Sequence, residues 1–161
     1  MAQSKFRTVA VHAAPGAAGE TNDALLHATG PVLGEHVLVI GHDTPGVVME
    51  LACRGVAEIT LLGPNARPET ATVDVAVVTG VACIGYAQRA VEMACRALCR
   101  SGRIVLRSAA EVDDNLGDGI AHILREAGFS GLRLRIAGGR VIASACRPRL
   151  GAQRSTRRAS G

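Results

Sequence analysis

The chain has 161 residues, which is room for one domain with a full hydrophobic core and hardly for two. Hydrophobic residues make up 48% of it, which excludes a disordered chain, while two Phe, one Tyr and no Trp argue against a site that stacks bases or sugars on aromatic rings. The net charge of +4 is carried by arginines near the end of the chain, so it belongs to a tail and not to a basic surface of the fold (Arg147, Arg149, Arg154, Arg157 and Arg158).

The cysteines and the N-terminus indicate the compartment. Five cysteines are an odd number, and no two of them form a CxxC pair. The N-terminal basic residues are followed by His12 and Pro15 and not by the apolar stretch of a secretory signal peptide, and no run of eighteen apolar residues predicts a membrane span. We therefore expect unpaired thiols in a reducing cytoplasm, and no membrane association.

The first half of the chain predicts alternating strands and helices. Residues 1–19 are rich in Ala and Gly and are predicted to be a flexible leader, and a short helix is expected from Thr21 to about Ala28. Continuous apolar runs that end at glycines predict strands buried on both faces. Pro45 suits the first turn of a helix that Thr44 or Asp43 would cap and that would run to about Arg54. The strands predicted in this half are His36–Ile40, Glu58–Leu62 and Val73–Val78.

The second half continues this alternation and then changes. A helix with an apolar face is expected over Tyr86–Arg100, and another from Asp113 or Asp114 to Ala127. Three strands are expected in this half, and Gly138-Gly139 between the last two is a strong hairpin signal (Arg103–Arg107, Gly131–Ala137 and Arg140–Cys146). Residues 20–148 are thus predicted to form one α/β domain, and residues 149–161 a basic disordered tail.

Four segments together resemble the class I S-adenosylmethionine-dependent methyltransferase family. They are a first strand and its turn, a third strand, a helix end that leads into the next strand, and a closing hairpin (Val37–Gly46, Asp74–Val78, Ala97–Val105, and Leu124–Phe129 with Ala145–Pro148). The resemblance implies a doubly wound, Rossmann-like, mostly parallel sheet of about six strands with an antiparallel C-terminal hairpin. Between the second and third strands this chain has only about ten residues, so it is expected to lack one central strand of the family.

The resemblance also implies where a cofactor would bind. Family members hold S-adenosylmethionine at the carboxyl ends of the first, second and third strands of the kind found here, and the matching positions are Gly41, His42, Asp43, Gly46, Gly63, Thr79 and Gly80. The cofactor motif is degenerate, because Val39 stands at the acidic position and Asp43 and Pro45 at the later glycine positions. The segment around Gly63 also lacks the acid that binds the ribose in the family.

Individual residues leave alternatives open. His42 and Asp43 are either a ligand contact or a general base with the residue that orients it, or else His42 is a solvated turn residue and Asp43 a helix cap. Cys83 is either a reactive thiol or a buried small side chain. Cys95 and Cys99, four apart on a predicted helix, suit ordinary packing better than a metal, and no metal site is predicted. Cys53 and Cys146 are expected in the core.

Three functions remain open at this point. The first is a methyltransferase with weak or altered binding of S-adenosylmethionine and an unknown substrate. The second is a non-catalytic interaction or regulatory protein with the same fold. The third is a nucleic-acid accessory protein that uses the arginine tail. A small-molecule ligand and a homodimer that covers the surface left by the missing segment are the partners expected.

Overall fold

The computed structural model describes residues 18–42, 44–63, 66–70, 72–109 and 114–148. The predicted leader, apart from its last two residues, the predicted tail and Asp43 lie outside the described residues, so the predicted domain boundaries stay predictions. The elements in chain order are α1 (Ala18–Thr29), β1 (His36–Gly41), α2 (Pro45–Cys53), β2 (Glu58–Leu62), β3 (Val73–Val81), α3 (Ile84–Ala97), β4 (Leu98–Ser108), α4 (Asp114–Glu126), β5 (Ser130–Ala137) and β6 (Arg140–Cys146).

The strands form one sheet of six, in the order β2-β1-β3-β4-β6-β5. The first four strands are parallel, and β6 pairs antiparallel with both β4 and β5. This arrangement confirms the predicted mostly parallel sheet with an antiparallel C-terminal hairpin. The two central glycines of the hairpin turn, Gly138 and Gly139, have φ values of 54° and 71°, as a type I′ turn requires.

Alternate residues of each strand supply two separate cores. On one face of the sheet, Leu38, Ile40 and Val78 pack with α3 and α4. On the other face, Val37 and Val39 pack with apolar residues of α1 and α2. Because β1 and β3 are buried on both faces, their sequences are continuous apolar runs and do not alternate.

The boundary between α3 and β4 differs from the prediction. The apolar periodicity predicts a helix to Arg100, but α3 ends at Ala97 and β4 begins at Leu98. Leu98 is fully buried and pairs with Val73, and the Thr72 amide donates to the Ala97 carbonyl at 2.8 Å. The pairing of β4 with β3 therefore places residues 98–100 in a strand, although their helical periodicity predicts that they continue α3. Tertiary contacts here outweigh the local sequence pattern.

Arg147 belongs to the fold, although the sequence groups it with the basic tail. Its guanidinium donates to the carbonyls of Leu98 at 2.9 Å and Cys95 at 2.7 Å, and its amide donates to the carbonyl of Gly102 at 2.8 Å. The carbonyls of Cys95 and Leu98 lie where α3 ends, and a cation at a helix C-terminus satisfies acceptors that the helix itself leaves open. The chain therefore leaves the domain beside the end of α3.

Membrane insertion receives no support from the helices of the described ranges. None of them has the length and apolar character that crossing a bilayer requires.

Candidate functional site

The sheet changes direction between β1 and β3. From β1 the chain goes to β2 on one side and then crosses to β3 on the other side of β1. In open α/β sheets, ligands bind in the crevice outside the carboxyl ends of the strands at such a switch point. The candidate site is therefore the edge formed by the residues that follow β1 and end β3.

The backbone at this edge is held together by Thr79. The hydroxyl of Thr79, a buried residue, donates to the carbonyl of His42 at 2.8 Å. Gly41 lies opposite Thr79 with a φ of 131°, and a Cβ on Gly41 would lie 2.2 Å from the Thr79 carbonyl oxygen. Contact between two strands thus requires the glycine at position 41, whether or not a ligand is bound.

Gly80 is the second glycine of the edge. Its φ is 70°, and a Cβ placed there would lie 3.6 Å from the carbonyl oxygen of His42. The strand β3 continues to Val81, three residues beyond its predicted end at Val78, with an irregular register between these two residues. Thr79 and Gly80 are therefore part of the strand, and they bring His42 against its end.

Two rings flank the edge. The rings of His42 and Tyr86 have centroids 6.4 Å apart and planes inclined by 30°. His42 is exposed, and Tyr86 is half-buried, with its hydroxyl 3.5 Å from the Thr79 carbonyl. Burial raises the pKa of Tyr86, and nearby Arg89 opposes this effect. Asp43, the predicted partner of His42, lies outside the described residues, so that pairing stays a prediction.

The N-terminus of α2 lies next to this edge. Pro45 is in its first turn as predicted, and Thr44 is the N-cap residue, although its side chain makes no capping hydrogen bond. The first turn contains no acidic residue, and Asp43, which precedes it in the chain, lies outside the described residues. Gly46 is exposed, and a Cβ on it would lie 3.0 Å from the Asn22 side chain. This terminus could attract a carboxylate or another anion.

Gly63 follows the end of β2, on the far side of β1 from β3. It is exposed, and a Cβ added to it would meet no atom within 4 Å. Of the predicted site residues, Gly41, His42, Thr79 and Gly80 are brought together. The other two described ones, Gly46 and Gly63, border that group from the first turn of α2 and the end of β2.

Tyr86 and Arg107 were not among the site residues predicted from the sequence. Tyr86 lies in the first turn of α3. The sequence feature that could have pointed to it is that the chain's single tyrosine follows soon after the end of a predicted strand. Arg107 is 3% exposed in β4, and its guanidinium donates to the side-chain oxygen of Asn22 in α1. A charged residue near the end of an otherwise apolar strand was the signal for Arg107.

The cysteines differ from their predicted places. Cys53 and Cys146, expected in the core, are exposed, because they are the last residues of α2 and β6 and lie at the margin of the packed layers. Cys83 is also exposed as the N-cap residue of α3, so of its two alternatives the buried side chain is wrong. Cys99 is in β4 and not in a helix with Cys95. Burial raises the pKa of Cys95, with Arg147 opposing.

A metal site is not formed by these thiols. Within the ranges that the structure describes, no three His, Cys, Asp or Glu side chains converge in a way that could hold a metal ion.

Comparison of the whole fold with solved structures identifies its type. The structure matches an S-adenosylmethionine-dependent methyltransferase from Mesorhizobium loti with a TM-score of 0.64 and 11% identity, over 82% of this chain and 100% of that one. The chain has the class I methyltransferase-like fold. No protein-family model and no curated protein matches it.

Two further matches are to methyltransferase structures with bound molecules or partners. One is a complex of the Haloferax volcanii Trm112 methyltransferase activator with a methyltransferase, with a TM-score of 0.64, 10% identity, and coverage of 80% of this chain and 88% of that one. The other is a Burkholderia thailandensis 1,6-didemethyltoxoflavin-N1-methyltransferase with bound S-adenosylhomocysteine, with a TM-score of 0.60, 13% identity, and coverage of 78% and 76%. At these identities the likeness establishes the fold alone.

Proposed function

We propose that this methyltransferase-fold chain binds S-adenosylmethionine or S-adenosylhomocysteine weakly, at the edge formed by Gly41, His42, Thr79 and Gly80. The observation that carries the proposal is the position of these residues at the switch point between β1 and β3. Gly80 there has a positive φ and no side chain to cover the backbone, whereas the space beside Gly41 is filled by Thr79. The binding of S-adenosylhomocysteine by a similar fold supports this choice of ligand.

The residues at this edge suit parts of such a ligand. In the proposed complex, amides in the first turn of α2, which the Thr44 side chain does not cap, receive the carboxylate of the amino-acid part. The exposed His42 ring beside Tyr86 offers a surface for the sulfonium or the sugar. Both the amide groups and the rings are compatible with reversible binding of a small polar molecule.

Weak binding is expected because no acidic side chain follows β2 at the described position 63. In the described residues, the position after β2 is Gly63, which has no side chain to accept hydrogen bonds from ribose hydroxyls. A carboxylate there would supply charge-assisted hydrogen bonds, which are roughly twice as strong as neutral ones. The wild-type dissociation constant is therefore expected on the order of 0.1–1 mM.

Restoring that carboxylate tests the proposal. We expect Gly63→Asp to bind S-adenosylmethionine about tenfold more tightly than the wild type in calorimetric titration, since one such hydrogen bond is worth about 1.4 kcal/mol. The substitution has room, because no atom lies within 4 Å of the added Cβ. Gly63→Asn has nearly the same shape without the charge, and it is the matched control, with an expected gain below about threefold.

A second variant tests the other side of the site. His42→Ala should weaken binding of both ligands severalfold and leave the melting temperature unchanged, because the ring is exposed. Gly41 is not a suitable probe, since any side chain there collides with Thr79. If neither the wild type nor Gly63→Asp releases heat at about 5 mM ligand, the proposed binding is refuted.

A non-catalytic interaction or regulatory role is the second candidate. It is favoured by the outer edge of the sheet at β2, which also carries the exposed side chain of Leu61. The unpaired backbone amides and carbonyls of an edge strand can pair with another chain. Failure of the nucleoside titrations, together with isolation of a stable complex with a different protein that Leu61→Glu disrupts, would favour this role over cofactor binding.

A further inference from the structure

A groove of about 630 Å³ lies between β2 and the segment that leads to β3, on the face of the sheet that carries α3. It extends from the amino ends of β1 and β2 towards the end of β2. Its lining consists of His36, Leu38, Glu58, Thr60, Leu62, Arg67, Pro68, Glu69, Thr72, Val73 and Ala97. The groove is separate from the edge proposed to bind the nucleoside.

The groove combines an apolar floor with negative charge. This floor is formed by Leu38, Val73 and Ala97, whose side chains are at most 5% exposed. Glu58 and Glu69 contribute two carboxylates against the single guanidinium of Arg67. A groove of this kind suits a short peptide with an apolar side chain and positive charges.

A third carboxylate stands at the amino end of the groove. Asp74 accepts a hydrogen bond from the backbone amide of His36 at 3.0 Å, and the His36 ring lies 3.8 Å from the Glu58 carboxylate. The negative charge is therefore concentrated where β1 and β2 begin.

The chain leaves the fold beside this end of the groove. Arg147 bonds to the carbonyl of Leu98, the residue that follows the groove residue Ala97. Residues 149–161 continue from Pro148 and can reach about 40 Å when extended, which is much longer than the groove. These residues contain four arginines, no acidic residue and one large apolar residue, Leu150.

We propose that the first part of this C-terminal segment, residues 149–154, binds in the groove. Leu150 lies on the apolar floor formed by Val73 and Ala97, and Arg149 and Arg154 pair with Glu58 and Glu69. Because Leu150 is only two residues beyond Pro148, its attachment gives an effective concentration of about millimolar or higher, so even a weak contact is occupied. The segment then covers the surface that the short connection between β2 and β3 leaves open.

Full-length variants test this binding by amide hydrogen exchange and NMR. In Leu150→Asp we expect amides of β2 and residues 72–73 to exchange about fivefold to tenfold faster than in the wild type, because their cover is lost. Backbone relaxation of residues 149–154 should change from values close to those of the sheet to values of a free chain end. About 0.5 M salt should partly reproduce the effect, since it screens exposed ion pairs.

Ala159→Asp is the matched control, since it adds the same charge to the segment outside residues 149–154. Its exchange rates should equal those of the wild type. Equal exchange in all three proteins would refute the proposal. If the protection of the groove amides from exchange increases with protein concentration and is the same in Leu150→Asp, a second copy of the chain occupies the groove instead. If the NMR resonances of residues 149–161 shift only when an oligonucleotide is added, their arginines bind nucleic acid, and the proposed binding in the groove is also overturned.

Discussion

The side chain of Thr79 joins β3 to the turn after β1. Its hydroxyl bonds to the His42 carbonyl, and its carbonyl oxygen occupies the space where a Cβ of residue 41 would lie. Gly41, which the sequence predicts as a cofactor-binding residue, is therefore also required for the packing of β1 against β3. At the residue scale, substitutions of Gly41 report on folding before they report on binding, so exposed positions such as His42 are better probes of the site.

The phenol of Tyr86 gives a prediction about pH. Burial raises its pKa above the ordinary value of 10.0, so the folded chain keeps the phenolic proton at a pH where the unfolded chain has lost it. Stability from this residue is complete below pH 10 and falls as the pH rises above it. Tyr86→Phe should remove this part of the decline in the free energy of unfolding.

Absorbance at 295 nm measures the Tyr86 titration directly, because the chain has one tyrosine and no tryptophan. The midpoint in the native protein should be higher than the midpoint in concentrated urea. Equal midpoints in the two conditions would contradict the burial that the structure gives to this ring.

At the scale of elements, the strands were the most predictable features. Glu58–Leu62 and Arg140–Cys146 have the predicted bounds, because glycine turns border them after Leu62 and before Arg140, although β2 is a partly exposed outer strand and not a buried one. The start of β4 was not predictable, since the pairing of Leu98 with Val73 joins residues distant in sequence. Helical periodicity continues through Leu98 and contains no sign of that pairing.

The candidate site was predictable in part. Strand ends assign Gly41, His42, Thr79 and Gly80 to one edge, because carboxyl ends of neighbouring parallel strands meet there. The approach of Tyr86 to His42 depends on where α3 sits relative to β1, which no local pattern encodes. The exposure of Cys83 likewise depends on its position at the start of α3.

Arg103 connects α1, the loop after it and β4. Its guanidinium forms a two-pronged pair with the Glu35 carboxylate, at 3.0 and 2.5 Å, and donates to the Thr29 carbonyl at 2.6 Å. Both charged side chains are less than one-third exposed. We expect Arg103→Ala to lower the free energy of unfolding by about 2–4 kcal/mol, because it leaves a carboxylate and a carbonyl without their partner.

Arg54→Ala is the control for this prediction. Arg54 pairs with Glu50 one helical turn away at 3.6 Å and donates to the Leu26 carbonyl at 3.3 Å, and both charged side chains are over one-third exposed, so the cost should be about 1 kcal/mol. Denaturant unfolding monitored by circular dichroism gives both values. Equal losses in the two variants would contradict the structural role assigned to Arg103.

For the whole molecule, the expected homodimer stays a prediction, and we propose the edge of the outer strand β2 as its contact in place of the surface left by the short connection between β2 and β3. The opposite outer strand, β5, carries Arg133 and Arg135, and exposed charges of this kind discourage pairing of sheet edges. The five residues of β2 include one charged residue, Glu58, and the half-exposed Leu61. We therefore predict a particle of twice the 16.6 kDa chain mass, and a monomer after Leu61→Glu.

Sedimentation equilibrium gives the mass of each variant. Ile136→Glu changes an apolar residue on β5 that is 70% exposed, and it should leave the dimer intact. A wild-type monomer at about 100 µM would refute the dimer, and a monomer produced by Ile136→Glu alone would move the interface to β5.

The place of β6 has a consequence for biosynthesis. β6 ends at Cys146, yet it lies inside the sheet, between β4 and β5. While the chain is still being translated, β4 therefore has an unpaired side and β5 has no neighbour. The native sheet can close only after residues up to Cys146 have left the ribosome, so a truncated translation product that stops before residue 140 should aggregate or be degraded instead of accumulating in folded form.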